Sequence, residues 1–189
     1  ACKKAIKNAG KSIEDIDSII CACSNLQRAY PAIAIEIQEL LGVTGFAYDM
    51  NVACSSSTFA IQNAVSDIKS GLLDCVLVVN PEICSGHLNF KDRDGHFIFG
   101  DVCTAVVLEK KENSSQGFQI LSTKLKTVFS NNIRNNFGFL NKAENTDSDA
   151  PDKLFIQEGR RVFKQVIPMV SSLIEEQISD NNLSIDNIS

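Results

Sequence analysis

Long apolar runs, blocks of like charge and paired metal-binding cysteines are all absent from this 189-residue sequence. The longest apolar runs, such as Cys75 to Val79, are far too short to cross a bilayer. The net charge is -5, and no basic patch of the kind that binds nucleic acid stands out. The lysines at positions 3 and 4 have no long apolar stretch behind them, so we expect no secretion signal. We therefore expect neither a membrane nor nucleic acid among the partners.

The cysteines are odd in number and do not form a recognisable framework. Seven are present, at positions 2, 21, 23, 54, 75, 84 and 103. They lack the C-x-x-C spacing of a metal site and the density of a disulfide scaffold. Several lie inside apolar runs, where a cysteine behaves as a small buried hydrophobe. This usage indicates a reducing cytoplasm, and we expect no metal.

The composition and the apolar pattern predict an α/β domain with a real core. Apolar residues make up 44% and charged residues 22% of the chain, as in globular proteins. The predicted helices cover residues 2–9, 31–41, 55–69 and 157–178, and the predicted strands cover residues 18–23, 46–52, 72–79, 97–99, 105–108 and 118–129. Residues 130–152 are rich in Asn, Asp and Ser, which is typical of an exposed connection. Pro168 should kink the last helix or lie near a break in it.

Two passages about 170 residues apart repeat one pattern. Each runs from a helix end into a Ser-Ile turn and then towards a strand, at Ser12-Ile13-Glu14-Asp15 and at Ser184-Ile185-Asp186-Asn187. So short a match can arise by chance, but a duplicated α/β architecture would also leave it. In that interpretation the second copy stops where its strand should begin, and we expect a chain truncated at both ends.

Cys54 is the residue that the pattern favours most for chemistry. It lies between a predicted strand and a predicted helix, so its sulfur would be exposed at a helix N-terminus. There the unpaired N–H groups and the helix dipole stabilise a thiolate, which is the species that accepts an acyl group from a thioester. The alternative from position alone is that Cys54 is one more buried cysteine and that the serines after it are a capping cluster.

The residues around Cys54 resemble the 3-oxoacyl-[acyl-carrier-protein] synthase III (ketoacyl synthase III) family of the thiolase superfamily. The resemblance is carried by Asn51-Val52-Ala53-Cys54, Leu77-Val78-Val79-Asn80-Pro81-Glu82, Asp92-Arg93, Phe97-Ile98-Phe99-Gly100-Asp101 and Ala29-Tyr30-Pro31-Ala32. It implies a thiolase-like layered αβαβα fold with mixed sheets, here incomplete. Residues 1–112 would form most of the first half, 113–156 a connection, and 157–189 the start of the second half.

The resemblance also implies a reaction. The family joins an acyl-CoA starter to malonyl-acyl-carrier-protein in fatty acid biosynthesis, with the acyl group first carried on a cysteine that Cys54 matches. No cofactor is needed beyond these substrates, and the family is a homodimer. The N–H of Cys54 would form part of the oxyanion hole, and the strand before it would pair with the partner subunit.

Further site residues follow from the same resemblance. Arg93 matches an arginine that packs on the CoA adenine. Arg160 departs from the small amide usual at the start of the long helix, and near the pantetheine channel an arginine would be able to bind phosphate or carboxylate. The acyl tunnel would be lined by Tyr30 (reaching into the partner subunit), Cys84 and Phe99. Each has a plainer alternative: the arginines as solvated surface charges, Tyr30 and Phe99 as core aromatics. Asp101 is expected to be a turn residue and not an acid.

The sequence also departs from the family in ways that affect its prediction. Ser56 and Ser57 replace a usual glycine and aromatic residue, which leads us to expect a starter other than acetyl, such as a medium-chain acyl group. The decarboxylating histidine of the family is matched by neither His87 nor His96, so the 189 residues alone should not condense substrates. The alternatives are another thiolase-fold acyl-CoA enzyme, such as a degradative thiolase or a hydroxymethylglutaryl-CoA synthase, and a non-catalytic dimer partner.

Overall fold

A computed structural model describes residues 1–114, 116–136, 150 and 153–188. The helices are α1 (Cys2–Asn8), α2 (Ile33–Leu41), α3 (Ser56–Ser70) and α4 (Gly159–Asp180). The strands are β1 (Ser18–Ala22), β2 (Phe46–Met50), β3 (Cys75–Glu82), β4 (Val102–Glu109), β5 (Ile133–Arg134) and β6 (Ile156–Gln157). None of the helices in these ranges is long and apolar enough to cross a membrane. These elements are distributed between two compact units.

The first unit, Ala1–Ser85 with Gly100–Gln119, is built on a four-stranded sheet in the order β2-β1-β3-β4. β1 runs parallel to β2 and β3, and β4 runs antiparallel to β3. Every residue of β1 is buried, because helices cover both faces of the sheet. Apolar residues of α1 and α2 pack on one face, and those of α3 pack on the other. The predicted α/β architecture is therefore present, with its central strands reading as continuous apolar runs.

The second unit consists of Gly86–Phe99 and Ile120–Ser189. Its described residues contain the short antiparallel pair β5–β6 and the 22-residue helix α4. Lys124 forms ion pairs with Glu176 and Asp180 of α4, at 2.8 and 2.9 Å. α4 continues through Pro168, so the proline does not end the helix. The predicted connection at 130–152 falls mostly outside the described residues.

Three sequence predictions of local structure are wrong. The helix predicted from residue 31 begins at Ile33, so Pro31 precedes it and is not part of its first turn. Phe97–Phe99 forms turns, because Asp92 and Gly95 accept backbone hydrogen bonds from His96 and Ile98 respectively. Residues 118–129 are irregular, and no strand of the described ranges pairs with them. An apolar pattern is not enough for a strand without a partner edge.

The two passages of the repeated sequence pattern form similar capped turns. Ser12 caps a single 3₁₀ turn, with its N–H and hydroxyl donating to the Asp15 carboxylate at 2.7 and 2.9 Å. Ser184 caps an equivalent turn, with its N–H and hydroxyl donating to the Asn187 side-chain oxygen at 2.8 and 2.9 Å. A residue with positive φ lies two positions before each capping serine: Gly10 at 67° and Asn182 at 56°. The two passages therefore share one capped-turn conformation, and duplication stays a prediction.

Candidate functional site

Cys54 lies in a tight turn between a strand and a helix, as the sequence predicts. β2 ends at Met50, α3 begins at Ser56, and the cysteine between them is exposed to solvent. Ala53, directly before it, has φ of 48°, in the left-handed region that a residue with a Cβ adopts at a cost. A turn of this kind places the sulfur near the N-terminus of α3, where the first N–H groups favour negative charge.

Ser56 holds this turn from inside. Its side chain is 2% exposed, and its hydroxyl accepts a hydrogen bond from the Val52 N–H at 2.8 Å. The same hydroxyl donates to the Ala53 carbonyl at 2.7 Å, and the Ser56 N–H reaches that carbonyl at 3.1 Å. The serine that replaces the usual glycine of the family thus takes part in the turn instead of facing open space.

The carboxyl ends of β1, β2 and β3 lie side by side at one end of the sheet, and Cys54 is at this end. Ligands of open α/β sheets bind at this end, because the loops that leave the parallel strands converge there. After β3, the Cys84 thiol accepts a hydrogen bond from the Asn25 amide at 3.6 Å. Burial, the Glu82 carboxylate and the nearby Cys54 together raise the pKa of the Cys84 thiol, so Cys84 stays protonated and is a poor nucleophile.

Asp101 has a structural role at the same end of the sheet, just beyond β3. Its carboxylate accepts hydrogen bonds from the Ser85 N–H at 2.8 Å and from the Ser85 hydroxyl at 2.6 Å. These bonds lower the pKa of Asp101, which keeps it ionised. An ionised acceptor that joins two loops fits the expected role as a turn residue and supplies no acid.

Tyr30 lies in the loop that leads into α2, and the start of α2 is bound to β2. The Asp49 carboxylate accepts the N–H groups of Ile33 and Ala34 at 2.9 and 2.8 Å, so it caps α2 from the neighbouring strand. Tyr30 itself is 84% exposed, which excludes the alternative that it is a core aromatic of this unit. A large exposed aromatic on a fixed loop is suited to contact another surface.

The remaining predicted site residues belong to the second unit. Arg93 and Arg160 are both exposed. Phe99 is half-buried, and its ring packs edge-on against Phe155 with the centroids 4.9 Å apart. Tyr30, Cys54 and Cys84 are in the first unit, so the six predicted site residues are divided equally between the two units.

Both histidines make local contacts within the second unit. Nδ1 of His87 lies 2.8 Å from the Asn135 amide, and its ring lies 6.1 Å from the Phe155 ring. Nδ1 of His96 lies 2.8 Å from the Asp92 carbonyl, and its ring packs edge-on against Phe97. These contacts agree with the structural role expected of both.

Sequence reasoning missed the polar side chains around the turn that carries Cys54. Ser24, Asn25, Asn51 and Glu82 all lie at or just after strand ends, and none was assigned a role. Their position after buried apolar runs is the signal that marks them, because such residues collect at the carboxyl edge of a parallel sheet.

Known proteins resemble this chain over nearly its full length. The family model described as 3-Oxoacyl-[acyl-carrier-protein (ACP)] synthase III matches residues 48–128. A protein of Pseudomonas aeruginosa named beta-ketodecanoyl-[acyl-carrier-protein] synthase is 58% identical over 187 residues, which cover 98% of this chain and 53% of that protein. A beta-ketoacyl-[acyl-carrier-protein] synthase III of Brucella anthropi is 33% identical over 203 residues, covering 100% of this chain and 58% of that protein.

The fold agrees with a solved structure of the same class. The 3-oxoacyl-[acyl-carrier-protein] synthase III of Aquifex aeolicus superposes with a TM-score of 0.83 at 27% identity, covering 97% of this chain and 55% of that one. The expected thiolase-like α/β fold is confirmed. The chain spans about half the length of the curated relatives it matches.

Proposed function

Because this chain belongs to the 3-oxoacyl-[acyl-carrier-protein] synthase III family, we propose that the protein containing it condenses an acyl-CoA starter with malonyl-acyl-carrier-protein, and that Cys54 carries the acyl group. The observation that carries the proposal is the exposed Cys54 on a strained turn at the N-terminal end of α3. Cys54 is exposed just before α3, whereas Cys2, which begins α1, is partly buried, and the other exposed cysteine, Cys103, lies within β4.

The proposed first step is acyl transfer. The Cys54 thiolate attacks the thioester carbonyl of acyl-CoA, its sulfur forms the new C–S bond, and the CoA thiolate leaves with the electron pair of the broken bond. Negative charge on the tetrahedral oxygen is stabilised by backbone N–H groups, among them that of Cys54. In the second step, decarboxylation of the malonyl group yields a carbanion that attacks the acyl-Cys54 carbonyl and expels the thiolate. Neither histidine of this chain matches the histidine that drives decarboxylation in the family.

The binding roles of the other predicted residues remain part of the proposal. Exposed Arg93 and Arg160 are suited to the adenine and the phosphates of CoA, since guanidinium groups stack on aromatic rings and pair with phosphate. Cys84 and Phe99 would line the acyl tunnel. Cys84 is half-buried with a protonated thiol, which presents a small, weakly polar surface to an acyl chain.

A homodimer is the proposed assembly. β2 is an edge strand of the four-stranded sheet and leads directly to Cys54, so pairing of β2 with its partner copy would join the two sites. Exposed Tyr30 would then reach the tunnel of the partner subunit. All seven cysteines are unpaired, which supports the expectation of a reducing cytoplasm.

A medium-chain starter is the proposed substrate. The Pseudomonas aeruginosa relative, at 58% identity, is named for a beta-ketodecanoyl product. A condensation that adds two carbons forms a ten-carbon product from an eight-carbon starter. We therefore assign octanoyl-CoA as the preferred starter.

The test is a condensation assay of the intact protein with malonyl-acyl-carrier-protein and either octanoyl-CoA or acetyl-CoA. We expect octanoyl-CoA to be used faster and the product to be beta-ketodecanoyl-acyl-carrier-protein. Cys54→Ser should abolish product, whereas Cys103→Ser, which alters the other exposed cysteine, should not. A clear preference for acetyl-CoA would end the starter assignment. No dependence on malonyl-acyl-carrier-protein would favour another thiolase-fold enzyme.

A further inference from the structure

Glu82 fixes the loop that leaves β1. Its carboxylate, at the carboxyl end of β3, accepts the Ser24 N–H at 2.9 Å and the Ser24 hydroxyl at 2.7 Å. The Asn25 amide donates to the same carboxylate at 2.7 Å. Hydrogen bonds to an ionised acceptor are about twice as strong as neutral ones, and this group is only half exposed. The ends of β1 and β3 are therefore held together by one side chain.

The hydrogen-bond chain continues to the nucleophile turn. The Asn51 amide donates to the Ser24 carbonyl at 3.3 Å, and the Asn51 side-chain oxygen accepts the Ala53 N–H at 2.9 Å. Ala53 is the residue with φ of 48° that directly precedes Cys54. A strained backbone of this kind persists only where its surroundings hold it. Glu82 thus connects, through Ser24 and Asn51, to the turn that sets the direction of the Cys54 sulfur.

We propose that Glu82 is a positioning residue for the Cys54 nucleophile. It holds Ser24 in place, Ser24 orients Asn51, and Asn51 fixes the strained peptide that presents the sulfur. Glu82 acts through this chain and does not itself touch the acyl group. The inference rests on the proposed function, in which Cys54 is the acyl acceptor.

The chain offers a matched control for any general loss of stability. Asp17 is a half-buried carboxylate at the opposite end of the same sheet, where it accepts the N–H groups of Asp74 and Cys75 at 2.8 and 2.9 Å. Removing it breaks two backbone hydrogen bonds at the start of β3, just as removing Glu82 breaks bonds at its end. Only the Glu82 change, however, should reach Cys54.

The experiment measures the rate of Cys54 acylation by octanoyl-CoA in the intact protein, by mass spectrometry, beside the urea midpoint of unfolding. At saturating octanoyl-CoA, Glu82→Ala should slow acylation about ten-fold or more, because a displacement of about 1 Å can slow a reaction by about a hundred-fold. Glu82→Gln should restore the rate to within about three-fold, since its oxygen still accepts the Ser24 N–H and its amide can pair with a rotated Asn25. Asp17→Ala should lower the midpoint but leave the acylation rate unchanged.

A second variant tests the route of the effect. Asn51→Ala should slow acylation to a similar extent, and the double variant with Glu82→Ala should be no slower than the slower single one, because both break one chain. Independent multiplication of the two losses would overturn the proposed route. An unchanged rate in Glu82→Ala, an equal loss in Asp17→Ala, or no rescue by glutamine would overturn the positioning role alone. Absence of acylation in the unaltered protein would instead overturn the proposed function.

Discussion

Removing the Ser56 hydroxyl should destabilise the nucleophile turn more than any neighbouring serine change. Ser56→Ala deletes the acceptor of the Val52 N–H and one of the two donors to the Ala53 carbonyl. The carbonyl keeps its bond to the Ser56 N–H, whereas the partly buried Val52 N–H loses the side-chain oxygen that accepts it. The damage is therefore concentrated on one backbone donor inside the turn.

The expected loss is about 2 kcal/mol of unfolding free energy, because an unsatisfied buried donor costs about 1–3 kcal/mol. The better helix propensity of alanine returns less than about 0.5 kcal/mol of this. With a urea dependence of about 2 kcal/mol per molar, the unfolding midpoint should fall by roughly 1 M. The acylation rate of Cys54 should fall as well, because the strained peptide loses a support.

Urea unfolding followed by circular dichroism measures this loss, and Ser55→Ala is the matched control. Ser55 is one residue earlier and exposed, and its side chain makes no capping hydrogen bond. We expect its replacement to change the unfolding free energy by less than about 0.5 kcal/mol. Equal losses for the two variants, or a loss below that size for Ser56→Ala, would refute the assignment of Ser56 as the brace of the turn.

Three further predictions address strain, acid dependence and thiol reactivity. Ala53→Gly should be at least as stable as the unaltered protein, and Ala53→Val should be roughly 1–2 kcal/mol less stable than the glycine variant on urea unfolding, because a Cβ at positive φ costs that much; a valine variant as stable as the glycine variant would contradict this. The capping serine lowers the pKa of Asp15, so its carboxylate stabilises the fold above the ordinary aspartate pKa and stops doing so as the pH falls through its lower folded pKa. Asp15→Asn reproduces the arrangement that Asn187 already shows, so it should remove this acid dependence and leave stability at neutral pH almost unchanged. If the unfolding free energy differed between about pH 3 and about pH 7 by as much in this variant as in the unaltered protein, the prediction would be wrong. Iodoacetamide at mildly acidic pH should modify Cys54 faster than Cys103, which is also exposed, because Cys54 is at a helix N-terminus and Cys103 lies within a strand; equal labelling by peptide mapping would disprove that advantage.

The elements nearest the nucleophile could be predicted from the sequence because their signals are local. Apolar residues at helical spacing after Cys54 predict α3, and the glycines at 42 and 71 predict the ends of α2 and α3. Both glycines adopt the left-handed conformation that ends these helices. The wrong strand at Phe97–Phe99 shows the limit of this reasoning. Its apolar residues follow the strand pattern, but hydrogen bonds around Asp92 close turns there.

The support of the site could not be predicted, because its contacts join residues far apart in sequence. Glu82 binds Ser24 and Asn25 across 58 and 57 positions. No periodic pattern connects such residues, and only the parallel pairing of β1 with β2 and β3 brings their ends to one edge. The role of Ser56 was hidden for a related reason, since its sequence position indicates a capping serine and its burial follows from tertiary packing.

The central claim is that the sulfur of Cys54 is the atom to which the acyl chain is attached. Incubation of the intact protein with octanoyl-CoA alone, followed by acid quenching, digestion and mass spectrometry, locates the acyl group directly. We predict one octanoyl thioester per chain, on the peptide that contains Cys54. An adduct on Cys84 or Cys103, or no adduct in a folded protein, would contradict this account.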